Sequence, residues 1–401
     1  MAAFGGSEQS LPGAQTPGVL PYGMARLAKL AFDGGDLKPV WQGLYDRFVG
    51  GQNEAASLMD LATIEELSGN AAGALACQKA ALERGHLFRS PAATAAPALR
   101  LLAFAAPGDI GANTPLEFML EGSDIALDTL YVLPGRPISV PRGSYDLAIV
   151  AAGESEANQP VLAAIEATAA LAVPLLNNPA RVRRLSRQGV AALFHDTTGV
   201  LAAPVERLGR DALAEAAHFP FIVRPVDSHA GRGLARIADT AALAAYLGAR
   251  GEQDFFTAPF VDYRSADGRF RKYRIAFIDG VPFACHMAIA DQWMIYYLNA
   301  GMSESAEKRA EEARFMRDFE ADFARRHETA LATIAQRIGL DYFAIDCGEM
   351  PDGRLVLFEA DIAMIVHAMD PPDLFPYKAP QMRKVFDAFR TMLFARAGSA
   401  R

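Results

Sequence analysis

The sequence predicts an α/β protein, and two observations carry that prediction. From Ala98 onward, short apolar runs alternate with helix-patterned segments, the order that builds a parallel sheet covered by helices. Further along, apolar runs end on charged residues and are joined by glycine-containing turns, so pairing those strands would gather charge at one spot. The 401 residues exceed what one small core holds, and a composition 51% hydrophobic and 21% charged is that of a globular protein. Three parts follow: a helical region over 1–95, an α/β domain over 96–190 and a third domain over 191–401.

Residues 1 to about 20 are rich in Gly, Ala, Ser and Pro and are expected to be poorly ordered. Helical pattern then runs to about residue 90. Ala55, Leu58, Met59, Ala62 and Ile64 to Leu67 form one amphipathic helix, Ser68-Gly69-Asn70 is a turn, and Ala71 to Glu83 forms a second, with Ala74, Leu75, Ala81 and Leu82 spaced for one face. The pair resembles a single tetratricopeptide-type helical hairpin. One unit is below the three that a solenoid needs, so it reads as a capping or dimerising appendage of a homo-oligomer.

The second part opens on Leu99-Arg-Leu-Leu-Ala-Phe-Ala-Ala, a buried strand, followed by a loop from Pro107 to Pro115 and a helix from Thr114. Ile125 to Leu133 and Tyr145 to Ala152 are further strands, Pro160 to Leu171 is a helix and Val173 to Leu176 a short strand. The loop lacks G-x-G-x-x-G, which excludes a dinucleotide fingerprint. On its residues alone it is a plain turn in which Asn113 caps the helix.

In the third part, Phe219-Pro-Phe-Ile-Val-Arg224-Pro225 reads as a buried strand ending on a cation. A loop of small residues follows, with Ser228, His229, Gly231 and Gly233. Glycines let backbone N–H groups approach phosphate oxygens, and Arg224 would pair with phosphate from the adjoining strand; an ordinary hairpin is the alternative. His286, Trp293 and Tyr296 either line an acceptor pocket or belong to the core. Asn299 to Ile338 forms two charged helical segments in which Glu307, Arg309, Glu311, Glu312 and Arg314 make a solvated face. Then come two apolar strands, Gly339 to Asp346 and Gly353 to Asp361, joined through Pro351 and Asp352. Side chains alternate along a strand, so Glu359 and Asp361 share a side, and pairing brings Asp346 to them. Carboxylates among apolar neighbours are costly unless a cation neutralises them, and oxygen ligands suit Mg²⁺ beside the phosphates of a nucleotide. A surface hairpin with solvated acids is the alternative.

A net charge of −8 argues against a general nucleic-acid binder. The three cysteines, Cys77, Cys285 and Cys347, form no C-x-x-C pair, which suits a reducing compartment without structural zinc. No apolar run reaches a membrane span and the start is unlike a signal peptide, so the expected location is the cytoplasm.

Together, these segments resemble the ATP-grasp superfamily, in the branch of glutathione synthetase and the ribosomal-protein glutamate ligases, over residues 96–395 with the motifs in family order. The resemblance implies a two-lobed ATP-grasp domain preceded by a Rossmann-like domain that helps bind the second substrate, where Gly108, Asp109 and Asn113 would face it. It places Ser228, His229, Gly231 and Gly233 in the flap that closes over the triphosphate, and Arg224 at a basic position that is usually Lys. Phe256-Thr-Ala-Pro259-Phe260-Val261-Asp262 would be the hinge whose backbone grips adenine, with Asp262 on the ribose. Arg274, with Lys272 beside it, would meet the phosphates or an acyl-phosphate. Asp346, Glu359 and Asp361 would hold two Mg²⁺. The chain departs from the family in having Asp361 where Asn is usual. It also lacks the usual Lys before the flap, where Arg181, Arg183, Arg184 and Arg187 crowd instead. The implied reaction joins a small-molecule carboxylate to an amine, of an amino acid or peptide, with release of ADP and phosphate. A small-molecule kinase and a non-catalytic nucleotide-binding or scaffold protein are the alternatives.

Overall fold

A computed structural model describes residues 16–168, 173–226, 228 and 231–398. The chain start to residue 15, the end of the helix expected over Pro160 to Leu171, and His229 lie outside the described residues. The architecture is α/β, with three sheets.

The first sheet contains β1 (Gly18–Val19), β2 (Leu87–Arg89), β3 (Leu99–Ala105), β4 (Ile125–Tyr131), β5 (Leu147–Val150) and β6 (Leu175–Leu176), in the order β1-β2-β4-β3-β5-β6. β4, β3, β5 and β6 run parallel. β3 and β5 are buried almost throughout, as expected of parallel strands covered on both faces, and their sequences are accordingly apolar without alternation. The expected helical hairpin forms as Glu54–Leu67 and Ala71–Arg84, preceded by helices Met24–Phe32 and Lys38–Val49. These four share a core of Leu27, Leu44, Leu58, Leu61, Ile64 and Leu82 with Phe88 of β2. β1 and β2 flank the helices in sequence and pair onto the edge of the first sheet, so the helical region is stitched into that sheet.

β7 (Val200–Leu201) belongs to the third sheet. The second is a small antiparallel sheet of β8 (Glu206–Gly209), β9 (Phe221–Pro225), β10 (Ala235–Ile237) and β11 (Asp254–Pro259), ordered β10-β9-β11-β8. Its own core includes Phe221, Val223, Leu243 and Phe255. The third sheet contains β12 (Phe270–Ile278), β13 (Val281–Ala290), β14 (Tyr342–Glu349) and β15 (Leu355–Asp361), ordered β13-β12-β14-β15-β7. Helices Ala306–Arg317 and Lys378–Gly398 pack on its β13 end. No described helix is long and apolar enough to cross a membrane.

Two local expectations are corrected. Asn113 does not cap a helix; Pro115 precedes helix Leu116–Leu120, and the Asn113 side chain instead bridges the backbone of Ala106, accepting from its N–H (2.7 Å) and donating to its C=O (2.9 Å). Glu312 is not part of a solvated face. It is fully buried, accepting from the hydroxyls of Tyr297 (3.0 Å) and Tyr377 (2.6 Å) and from the Met287 N–H (3.0 Å), with Lys378 Nζ 3.5 Å away. Those partners come from three other segments, which no helical charge pattern reveals.

Candidate active site

The site begins with strand register. Arg274 of β12, Asp346 of β14 and Glu359 of β15 are partners across three adjacent strands. Bulges interrupt the ladders beside this row, after Arg274 toward β13 and after Asp346 toward β15, the kind of irregularity that re-aims side chains. Asp346 is buried and accepts from Arg274 Nε (2.8 Å), Arg274 Nη2 (2.9 Å) and Lys272 Nζ (2.9 Å). Burial alone would raise its carboxyl, but Arg274 and Lys272 outweigh burial and hold it well below the usual carboxylate range. Glu359 accepts from Arg187 Nη2 (3.0 Å), and that guanidinium keeps its carboxyl low against burial and the charge of Asp346. Asp361, two residues on, accepts from the Ala363 N–H (3.0 Å); burial, aided by the charge of Glu359, pushes it up to about 6.

Sequence reasoning left Arg181, Arg183, Arg184 and Arg187 undivided. The structure singles out Arg187, at the start of helix Arg187–Leu193, as the one on the carboxylate row. Arg181 instead donates to the carbonyls of Ile338 and Gly339, and Arg183 to Gln159 and Glu166. Only the tertiary approach of that helix to β15 separates Arg187 from its neighbours.

The oxygens of Asp346, Glu359 and Asp361 are the hard-ligand chemistry that Mg²⁺ takes. Among the described residues, however, no three acidic, His or Cys side chains are gathered as a metal centre. Asp346 uses both oxygens on Lys272 and Arg274. Remaining capacity lies with Glu359 and Asp361, whose mutual repulsion a cation between them would relieve. The donor set fits a divalent ion on that side of the row.

The second sheet supplies the glycine loop. Arg224 is buried and does not reach outward: its Nε donates to Ser228 Oγ (3.0 Å) and its Nη2 to the Ser228 carbonyl, while Ser228 Oγ donates to the Pro225 carbonyl (2.7 Å). Burial, then the charge of Arg187, lowers the Arg224 guanidinium to about 10. Gly231 and Gly233 have φ of 73° and 70°. At Gly233 a Cβ would lie 2.6 Å from Pro225 Cδ, so this glycine is required by its own fold; at Gly231 the nearest atom to a Cβ, among the described residues, is Met294 Sδ at 4.0 Å.

At the hinge, Phe260 lies between the Arg236 guanidinium, 4.1 Å from its ring centre, and the Trp293 ring edge. Pro259 ends β11 and Val261 is partly buried. Asp262 is exposed and paired with Arg264 (Nε–Oδ1 3.0 Å). The acceptor-pocket trio is not gathered as one wall: Trp293 joins the hinge, Tyr296 is exposed, and His286 packs edge-on to Tyr297 beside Arg274. His286 Nδ1 is buried with no hydrogen-bond partner among the described residues, and burial followed by the charge of Arg274 keeps the ring neutral.

Gly108, Asp109 and Asn113 line a cavity of about 340 Å³ between the N-terminal helices and the first sheet. The loop that carries them reaches the charged row, because the Thr114 hydroxyl donates to the Ile362 carbonyl (2.9 Å), one residue beyond Asp361.

No protein-family model matches the chain, and no curated protein matches it. Among solved structures it is similar to a RimK domain ATP-grasp protein from Sphaerobacter thermophilus DSM 20745, at 16% identity over 74% of this chain and 99% of that one, with a TM-score of 0.41. It is similar to the D-alanine–D-alanine ligase of Bacillus anthracis complexed with ATP, at 13% identity over 75% and 99%, TM-score 0.44. A third is the VanG D-Ala:D-Ser ligase of Enterococcus faecalis, at 12% identity over 73% and 98%, TM-score 0.44. Likeness at this level fixes neither family nor reaction.

Proposed function

We propose that this chain is an ATP-grasp-type ligase that uses ATP to join a small-molecule carboxylate to an amine, releasing ADP and phosphate. The observation that carries this reading is the row Arg274–Asp346–Glu359 across three strands, flanked by Arg187, Arg224 and Lys272. Four cations around three carboxylates suit a polyphosphate next to a divalent ion. Glu359 and Asp361, with Asp346, would hold Mg²⁺, which supplies neutralisation of phosphate charge when bound. The hinge Pro259–Asp262 would take adenine and ribose, and the loop from Ser228 to Gly233 the triphosphate.

An oxygen of the substrate carboxylate attacks the γ-phosphorus and ADP leaves, giving an acyl-phosphate. Arg274 stabilises the charge that develops on the transferring group. The amine nitrogen then attacks the acyl carbon, phosphate leaves, and the nitrogen loses its proton. Arg274 and Lys272 must release Asp346 in part to meet phosphate, so the row is arranged for exchange of partners. The same contacts favour a second reading, a nucleotide-binding protein without turnover, in which Asp346 never leaves its cations. A screen of acid and amine pairs for ADP release separates them. ADP and free phosphate appearing in equal amounts, only with both substrates, supports the ligase; ADP without free phosphate indicates a kinase; Mg-ATP binding without ADP release indicates the non-catalytic protein.

A further inference from the structure

We propose that the cavity between the N-terminal helices and the first sheet binds a small organic cation, an amine with a short apolar body. Its identification as the amine that receives the acyl group rests on the ligase reading; its binding does not.

The cavity, about 340 Å³, falls in the range of small-ligand sites, roughly 300–1,000 Å³. Apolar groups such as Met59, Phe88, Leu116 and Leu127 form much of its lining. Four acids, Asp60, Glu66, Asp109 and Glu117, stand in that lining with one cation, Arg232, and at contact Asp60, Glu66 and Glu117 rest on backbone N–H groups rather than on Lys or Arg. Asp60 accepts from Tyr22 (2.7 Å) and Gly23 (3.0 Å), Glu66 from Ile110 (2.8 Å) and Glu117 from Ala25 (3.0 Å). Loss of solvation raises all three, Asp60 to about 7. The Tyr131 hydroxyl lines the same space within the fields of Glu117 and Glu66, and makes no hydrogen bond among the described residues. Four acids against the single guanidinium of Arg232 leave negative charge without a counter-charge at contact, and withdrawing it from water is costly. An ammonium brings three donors and a positive charge, which answers both the carboxylates and the free phenol oxygen.

Position ties the cavity to the chemistry. Gln78, from helix Ala71–Arg84, exchanges two hydrogen bonds with Gly108 (2.8 and 2.9 Å), and Glu66 holds Ile110 of the same loop. That loop ends on Thr114, bonded beside Asp361. Arg232, from the glycine loop, lines the cavity as well. The N-terminal helices thus form a wall of this cavity.

The test is calorimetric titration of the full chain, without nucleotide, with three probes of one shape: 4-methylpentylamine, 4-methylpentan-1-ol and 4-methylpentanoate. The amine is expected to bind at least tenfold more tightly than either of the others. Glu66→Gln, which keeps an acceptor for Ile110, should weaken the amine at least tenfold without lowering the melting temperature. Ala74→Leu, which extends a side chain into the cavity, should abolish binding. Equal or tighter binding of the acid, no binding of the amine, or an unchanged Kd in both variants overturns the proposal. Titration of Mg-ATP into the same protein keeps the two readings apart. Amine binding without Mg-ATP binding leaves the cation site standing and removes the ligase; the reverse removes the cation site alone.

Discussion

Two regions of this molecule hold carboxylates against desolvation in opposite ways. On the third sheet, Asp346 and Glu359 face Lys272, Arg274 and Arg187, and both are lowered from the ordinary range. Around the cavity, Asp60, Glu66 and Glu117 face backbone N–H groups, and all three are raised. Around the cavity, burial outweighs the amide hydrogen bonds, whereas on the third sheet the guanidinium and ammonium groups at contact outweigh burial. The first set is therefore locked in its ionised form, suited to trading protein cations for metal and phosphate. The second set still needs a positive charge.

The hardest strain on this contrast is Asp346→Asn. It leaves Lys272 and Arg274 partly buried without their counter-ion, and breaking such a pair costs about 3–5 kcal/mol. Denaturant unfolding should show that loss, and ADP release should fall by about three orders of magnitude. Glu359→Gln removes a carboxylate whose pair with Arg187 is more exposed, so stability should move by at most about 1 kcal/mol while activity is lost. Equal destabilisation by both variants would contradict the assignment of Asp346 as the anchor of the row.

Asp361, beside the first set, is the exception: burial, aided by the charge of Glu359, outweighs its backbone hydrogen bonds and the charge of Arg187 and raises it to about 6. As pH rises through about 6 it gains the charge a divalent ion needs, so ligase rate and Mg²⁺ affinity should climb across that point. Asp361→Asn should remove the acid limb and leave measurable activity. A limb that persists unchanged in the variant assigns it to some other group.

Arg232 is exposed on the glycine loop and lines the cavity. Trypsin should cut after Arg232 rapidly in the free protein, several-fold more slowly with Mg-ATP, and most slowly with Mg-ATP and the amine probe together. Cleavage indifferent to nucleotide would mark the segment as an ordinary hairpin.

The smallest expected effect is a pH dependence confined to the N-terminal region. Asp60 is raised from 3.8 to about 7, so its contribution to stability is fully present below about pH 4 and is lost as pH rises through 7. Asp346 is lowered, so its contribution is present above 3.8 and falls away only in stronger acid. Between pH 5 and 8, only the first of these two changes. Amide exchange at Tyr22 and Gly23, corrected for intrinsic rate, should show looser protection at pH 8, and Asp60→Asn should abolish the difference.

Much of the third sheet was legible from sequence because local pattern and tertiary placement agree there. Two apolar runs around a Pro351–Asp352–Gly353 turn pair as β14 and β15, and strand periodicity brings Asp346 and Glu359 together. What escaped was decided by distant partners. Nothing near Arg187 announces that it meets Glu359, 172 residues away. Glu312 looks like its solvated neighbours until Tyr377 arrives from 65 residues downstream. β1 and β2 are so short that periodicity has almost nothing to count, yet they determine that the helices belong to the first sheet.

The Thr114 hydroxyl on the Ile362 carbonyl has a mechanical consequence. Close by, Gly153 packs so tightly that a Cβ there would sit 2.8 Å from the Cβ of Ala363. These contacts rivet the first sheet to the third, so cavity and charged row form one anvil. The second sheet has its own core and stands outside this joint. A ligand seated in the cavity would then stand at a set reach from the charged row, its spacing fixed by the joint and not by the ligand.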